Sequence, residues 1–267
     1  MDDLIPLLEH PLKSPTVFTP EALVEAVRKD RDLSNKPIPQ VCFLEFDGDL
    51  TDWLVSTGKA KEWKSWPCFH TTMFSFEVDG ATFGIVPRTI GGPYSVLIAE
   101  QMAVSGSRVV LGLTSAGRVS PLMPIPGLVV VSDAIRDEGT SYHYLPPRPV
   151  VEAPKKVAEF LQSELEKLFL PVRSGTVWTT DAPYRETKEQ IDRYANAGVL
   201  AVEMQAASLF AFSIAHNFPL GMVAHVTNSS TDYEKAFDKG AHEKEFEIMQ
   251  AMCRAGRRFV LSSENNA

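Results

Sequence analysis

Four polar segments of this 267-residue chain lie where strand-like apolar runs give way to loops. Leu113-Thr-Ser-Ala-Gly-Arg118 offers two hydroxyls, Thr114 and Ser115, ahead of a guanidinium. Small hydroxyl residues at a strand's carboxyl end make a polar floor for a ligand, or else cap their own turn. Thr89-Ile-Gly-Gly-Pro-Tyr94 pairs two glycines before a helical pattern, which lets backbone N–H groups approach an anion or simply forms a tight turn. Asp133 to His143 gathers Arg136, Glu138, Tyr142 and His143 around Gly139. His143 there suits proton transfer or plain structural hydrogen bonding. The most informative stretch is Trp178-Thr-Thr-Asp-Ala-Pro-Tyr-Arg-Glu186, followed by Gly198-Val-Leu-Ala-Val-Glu-Met-Gln-Ala-Ala207. Glu203 and Gln205 open a helix from a strand end, where a carboxylate and an amide can hold a vicinal diol such as ribose. Alternatively, Glu203 only complements the helix dipole.

The elements that must position these segments are readable from periodicity. Apolar runs at Val41–Phe46, Met73–Val78, Ala81–Val86, Val109–Leu113 and Leu128–Val131 predict strands, as do Gly175–Thr180, Val199–Val202 and Leu220–Thr227. Asp79-Gly80 between two of them predicts a hairpin. Helical patterns cover Pro20–Lys29, Pro93–Val104, Lys155–Leu170, Lys188–Ala197, Met204–His216 and Ala241–Val260. Strands alternating with helices, and apolar on both sides, predict an α/β sheet covered on both faces. The Pro-punctuated residues 1–39 read as an arm, packed on the domain or on a partner subunit, and 40–267 as one domain.

Composition narrows the function. Lys and Arg number 26 against 34 Asp and Glu, a net charge of −8, with no dense basic run. That excludes a nucleic-acid-coating role, which needs a basic footprint. No run approaches the ~20 apolar residues of a membrane span. Cys42, Cys68 and Cys253 are odd in number and lack a CxxC spacing, which predicts reduced thiols in a cytoplasmic protein. The six histidines show no paired ligand spacing, so no metal is expected, and no nucleotide-cofactor fingerprint is present.

Gly91-Gly92-Pro93, Arg136-Asp-Glu-Gly-Thr-Ser, Thr179-Thr-Asp-Ala-Pro-Tyr-Arg-Glu and Val202-Glu-Met-Gln-Ala-Ala occur in one order and spacing. Together they resemble the nucleoside phosphorylase superfamily, on its uridine-phosphorylase-like branch, over about Glu77 to Val260. The resemblance implies a three-layer α/β/α domain around a mixed, partly barrel-closed sheet, assembled as homodimers or hexamers. It implies cleavage of the N-glycosidic bond of a pyrimidine-like nucleoside, uridine first, by phosphate as co-substrate. By position it assigns Thr114 and Ser115 to phosphate, Met204 and Gln205 to ribose, and Thr179, Thr180, Tyr184 and Arg185 to the base.

The departures are as informative. The family's Gly-Asp-Pro-x-Arg turn is matched by Asp47-Gly-Asp-Leu-Thr-Asp52, which has no arginine. A second phosphate arginine aligns near Gly112, and a third, from the neighbouring subunit, near Phe69 and His70. Asn228 stands about where purine-cleaving members carry a general-acid Asp, and joins Gln205 and Glu203 as a catalytic candidate. Arg88, Arg118 and Arg136 are the candidates to replace the missing arginines at the phosphate. Two other readings stay open on the same fold. One is a hydrolytic nucleosidase, with Glu203, Asp181 or Glu138 activating water; the other is a non-catalytic nucleoside-binding protein. On the family pattern His70 and the Trp63–Phe74 stretch lie at an interface over the partner's site.

Overall fold

The computed structural model describes residues 5–229 and 240–264. Its sheet is mixed and ten-stranded. The strands are β1 (Val41–Glu45), β2 (Ala60–Glu62), β3 (Phe74–Val78), β4 (Ala81–Pro87) and β5 (Val109–Arg118). They continue with β6 (Gly127–Asp137), β7 (Val150–Glu152), β8 (Val172–Thr180), β9 (Ala201–Glu203) and β10 (Leu220–Ser229). Along the path β10-β6-β8-β9-β5 each strand pairs with the next, and β10 also pairs with β5, which closes a five-strand barrel. From β5 the sheet runs out through β1, β4, β3 and β2.

Two apolar clusters sandwich this sheet because its strands alternate faces. Cys42, Leu44 and Phe46 join one cluster, whereas Val41 and Phe43 join the other. Over the first lie α3 (Gly92–Val104) and α6 (Ala206–His216), with α1 (Pro20–Asp30) on α3. Over the second lie α4 (Lys155–Leu165) and α7 (His242–Glu264), with α2 (Asp49–Ser56) on α7. The remaining helix, α5 (Lys188–Asn196), starts on a Thr187–Gln190 capping box and supports the wall of β8 through Ile191 and Trp178. The fold is the α/β class expected, with helices on both faces. Among the described residues no helix is long and apolar enough to cross a membrane.

Several boundaries differ from the periodic reading, two of them for one physical reason. Thr114–Arg118 and Asp133–Asp137 read as polar loops, yet both are strand. Their backbones are paired from β10 and β9 in the first case and from β7 and β8 in the second. Non-local pairing of that kind leaves no local signal. The helix expected to start at Met204 starts at Ala206, so Met204 and Gln205 lie outside it. The helix expected to reach Leu170 stops at Leu165. The arm lies on the chain's own domain: Pro6–Leu8 forms a short 3-10 turn against a second one, Thr140–His143. The rings of His10 and His143 there stand 4.0 Å apart.

Candidate functional site

The end of β1, the middle of β5 and the β9–α6 junction meet at one place. The junction is organised by Glu203, which is fully buried at the end of β9. One carboxylate oxygen accepts from the backbone N–H groups of Gln205 at 2.7 Å and Ala206 at 2.8 Å. The other accepts from the Thr179 hydroxyl, whose oxygen in turn accepts from Ala207 N–H at 3.0 Å. Glu203 therefore satisfies the first orphan donors of α6 and ties that helix to β8. Burial pushes its pKa up to about 7 against these hydrogen bonds, and the charge of Glu138 adds to the rise.

Gln205 follows from this cap. Its Oε1 accepts from the Met204 N–H at 3.2 Å and stands 3.3 Å from the Thr114 hydroxyl of β5, which shares its proton with the Ser115 carbonyl at 2.9 Å. Holding the amide oxygen leaves the amide nitrogen as the end able to donate to a sugar hydroxyl.

The next residue of β5, Ser115, is bound to a different partner. Its hydroxyl donates to Asp47 Oδ1 at 3.0 Å and its backbone N–H to Asp47 Oδ2 at 3.3 Å. Asp47 lies just past β1, and the parallel pairing Glu45↔Leu113 carries it to the level of Ser115. Gln205 and Asp47 thus bracket successive residues of one strand. Glu45, on the same turn, accepts from Gly48 N–H at 2.6 Å and from the Thr51 hydroxyl at 2.9 Å. Its pKa is raised to about 7 by burial, with the charges of Asp49 and Asp47 adding to the rise. Three carboxylates, Glu45, Asp47 and Asp49, thus gather at the turn beside Ser115.

Of the three arginines read as phosphate ligands, Arg88 alone brings its charge to the acidic turn beside Ser115. Arg136 is buried and fastens its own loop, donating to Ser141 Oγ at 2.7 Å and to the carbonyls of Pro146 at 2.8 Å and Leu145 at 3.2 Å. Arg118 lies three residues beyond Ser115, where strand alternation sends it to the opposite face. It lines a hollow with Pro121, Leu122 and Ile191. Arg88 pairs with Asp52, the residue standing at the family's arginine position, and packs over Gly48. At Gly112 the space that a side chain would take is filled by Met222, whose Sδ lies 2.1 Å from where a Cβ would stand.

The base wall is also redistributed. Thr179 is fully buried with its hydroxyl spent on Glu203 and Ala207, so it does not face a base. Thr180 and Arg185 line a cavity of about 490 Å³ with Arg136, Glu138, Tyr142 and Trp178, roofed by Ile5, Leu7 and Leu8 of the arm. Tyr184 is wholly exposed. Asp181 is engaged by the Gly139 N–H at 2.8 Å, and Glu138 by Ser141 N–H at 2.9 Å and the Ser208 hydroxyl. Glu203, Asp181 and Glu138, the carboxylates considered for activating water, are therefore each occupied in holding backbone. Asn228 pairs across to Gly117, past the level of Ser115, whose β10 partner is His225. His70 is exposed in a loop and accepts the Tyr94 hydroxyl on its carbonyl. The fold also gathers groups that spacing did not reveal: Glu45, Asp47 and Asp49 bring carboxylate oxygens within 4.8 Å of one another, and Asp49, His242 and Glu245 bring two such oxygens and a ring nitrogen equally close.

A family model described as the phosphorylase superfamily matches residues 48–260, most of the chain and all of the junction just described except Asp47 and Glu45. The chain belongs to the phosphorylase superfamily. It is 22% identical over 225 residues to a uridine phosphorylase of Salmonella typhimurium, covering 79% of this chain and 86% of that protein. It is 27% identical over 152 residues to a guanosine phosphorylase of Halorubrum lacusprofundi, covering 55% of this chain and 61% of that protein. A uridine phosphorylase of Thermococcus kodakarensis is 25% identical over 177 residues, 61% of this chain and 64% of that protein.

Within this superfamily chain, Asp47 is the functional candidate that residue-by-residue reading missed. The stretch Asp47–Asp52 was conspicuous for its missing arginine, and the carboxylate just before the glycine was the available signal. Gln205 keeps an amide nitrogen able to donate, which makes its expected sugar contact testable. Gln205→Ala is expected to weaken ribonucleoside binding about tenfold, the worth of one or two hydrogen bonds. A 2′,3′-dideoxynucleoside should bind the parent and the variant alike. Gln205→Glu should tighten ribonucleoside binding by a similar factor, because a charged acceptor makes stronger bonds to hydroxyls. Calorimetry on the three proteins measures both effects, and three equal affinities would remove the sugar from this junction.

Proposed function

We propose that this chain cleaves the N-glycosidic bond of a nucleoside with water as the attacking group, releasing free base and pentose. The observation that carries the reading is the Asp47 carboxylate on the Ser115 hydroxyl and N–H. The family resemblance gives Thr114 and Ser115 to phosphate, and an acidic side chain already holds the donors of Ser115. A phosphate dianion would have to displace that carboxylate beside Glu45 and Asp49, at a turn where Arg88 is already paired with Asp52. Like charge at close range disfavours that exchange.

Each residue's part follows from its contacts. Gln205 orients the sugar through the donor end of its amide, and Met204 packs beneath it. As the C1′–N bond stretches, the sugar becomes cationic, and the negative field of Asp47 and its acidic neighbours stabilises that charge. Asp47 takes the proton of the attacking water, the water oxygen bonds to C1′, and the bonding pair leaves with the base nitrogen. The base departs toward Thr180 and Arg185. Glu203 does not touch substrate; it holds the Met204–Gln205 turn in place.

A second reading, phosphorolysis of a pyrimidine-like nucleoside, is favoured by Arg88 over Gly48, which brings one guanidinium to the turn that the family uses for phosphate. One assay separates the two. The purified chain is incubated with uridine and a nucleoside panel, with and without phosphate, and the sugar product is identified. Hydrolysis gives phosphate-independent release and free pentose; strict phosphate dependence with pentose 1-phosphate moves the assignment to phosphorolysis. Binding without release under both conditions supports a non-catalytic nucleoside-binding protein. The reading carries no resident cofactor or metal. It takes the chain as a cytoplasmic homo-oligomer with Trp63–Phe74 at the interface, and a monomer in sedimentation at micromolar concentration would overturn that assembly.

A further inference from the structure

The cavity under the N-terminal arm holds one unusual group. Glu138 lines it and is nine-tenths buried. Its Oε2 is fixed by the Ser141 N–H at 2.9 Å and by the Ser208 hydroxyl. Its Oε1 is buried and has no hydrogen-bond partner among the described residues. A buried carboxylate oxygen left unpaired is costly, and most such groups have a partner. Here the carboxylate is rigid and borders a space of about 490 Å³, ample for a heterocyclic base. Tyr142 and Trp178 give that space aromatic lining, and Thr180 and Arg185 are the base-side residues that open onto it. Glu138 also ties the cavity to the helix of the sugar junction, because its partner Ser208 belongs to α6, which starts one residue after Gln205.

From this we infer that Glu138 is a specificity-determining residue, whose Oε1 accepts a hydrogen bond from the exocyclic amino group of the base. The inference rests on the nucleoside reading above and names its substrate class: cytosine-like or adenine-like bases in preference to their oxo counterparts. An amino group donates to Oε1. A ring carbonyl at the same place sets lone pairs against lone pairs and leaves Oε1 unpaired. Arg136 uses three of its five N–H donors on its own loop, so donors remain for the acceptor atoms of such a base. A site built to hydrogen-bond a substrate group discriminates strongly against the analogue that lacks it.

The test compares cytidine with uridine and adenosine with inosine, pairs that differ at one exocyclic atom. The parent protein should favour the amino member at least tenfold in kcat/KM, and free cytosine should raise its melting temperature more than uracil does. Glu138→Gln can turn its amide N–H2 toward the base while its oxygen keeps the Ser141 and Ser208 bonds. It should therefore erase or invert the preference. Equal rates within each pair in the parent overturn the inference and leave the nucleoside reading standing; Oε1 then serves a buried water. A Glu138→Gln variant that slows both members by the same factor overturns it too. A parent that neither binds nor cleaves any of the four removes the nucleoside reading itself.

Discussion

Asp47→Asn is expected to lower the rate of base release by about 10²–10⁴-fold, the usual worth of a general base. An asparagine retains an oxygen for one Ser115 donor and nearly the same volume, so the turn between β1 and α2 should hold. It removes the proton acceptor and one negative charge that stabilises the cationic sugar. Nucleoside affinity should change little, because the sugar contacts run through Gln205. The expected pattern is therefore a loss in kcat with KM nearly unchanged. The opposite sign is diagnostic as well. Under phosphorolysis the Asp47 carboxylate is an inhibitor in place, and neutralising it frees Ser115 and lowers the local negative field. Asp47→Asn would then raise the phosphate-dependent rate and lower the KM for phosphate. Steady-state kinetics in phosphate-free and phosphate-containing buffer read both patterns on one variant.

That Asp47 emerged only from the structure reflects how information is distributed in this sequence. The helices at 20–30 and 92–104 were readable because each carries its own periodicity and its own start signal, a proline in the first turn. The Asp79-Gly80 hairpin was readable for the same reason, since turn chemistry is local. The meeting of Asp47 with Ser115 depends on the parallel pairing of β1 with β5, which brings together residues 68 apart. Nothing local announces it. The arginines were misread for a related reason. Arg136 was placed correctly in a polar run near a strand end, but its guanidinium folds back onto its own loop's carbonyls. Arg118 stands three residues beyond Ser115, and strand alternation puts it on the opposite face from that hydroxyl. Thr179 and Glu203 were singled out for chemistry, and they do act together, but on the helix cap rather than on a base. The family motifs located the junction; the division of labour within it depended on side-chain partners.

The cap itself is the second place where a large effect is expected, this time on stability. Glu203→Ala would leave the Thr179 hydroxyl and the Gln205 and Ala206 N–H groups without their buried acceptor. Breaking a buried, hydrogen-bonded charge in this way costs about 3–5 kcal/mol. Glu203→Gln should behave differently, and its behaviour should depend on pH. The folded-state pKa of Glu203 is raised to about 7 from an ordinary 4.5, chiefly by burial. The folded protein therefore binds a proton that the unfolded chain has released over that interval. The contribution of Glu203 to stability is fully present below pH 4.5 and is lost as pH rises through 7, on the order of 3 kcal/mol in all. Glutamine cannot ionise, yet its oxygen can still accept the two backbone N–H groups while its amide donates to Thr179. Its stability should escape this decline. Chemical denaturation at pH 5 and pH 8 should show Glu203→Gln gaining on the parent as pH rises, with part of the parent's slope persisting through Glu45, whose pKa is also raised to about 7. Parallel profiles for the two proteins would mean that Glu203 is ionised throughout the range, held by its three donors more strongly than burial opposes it.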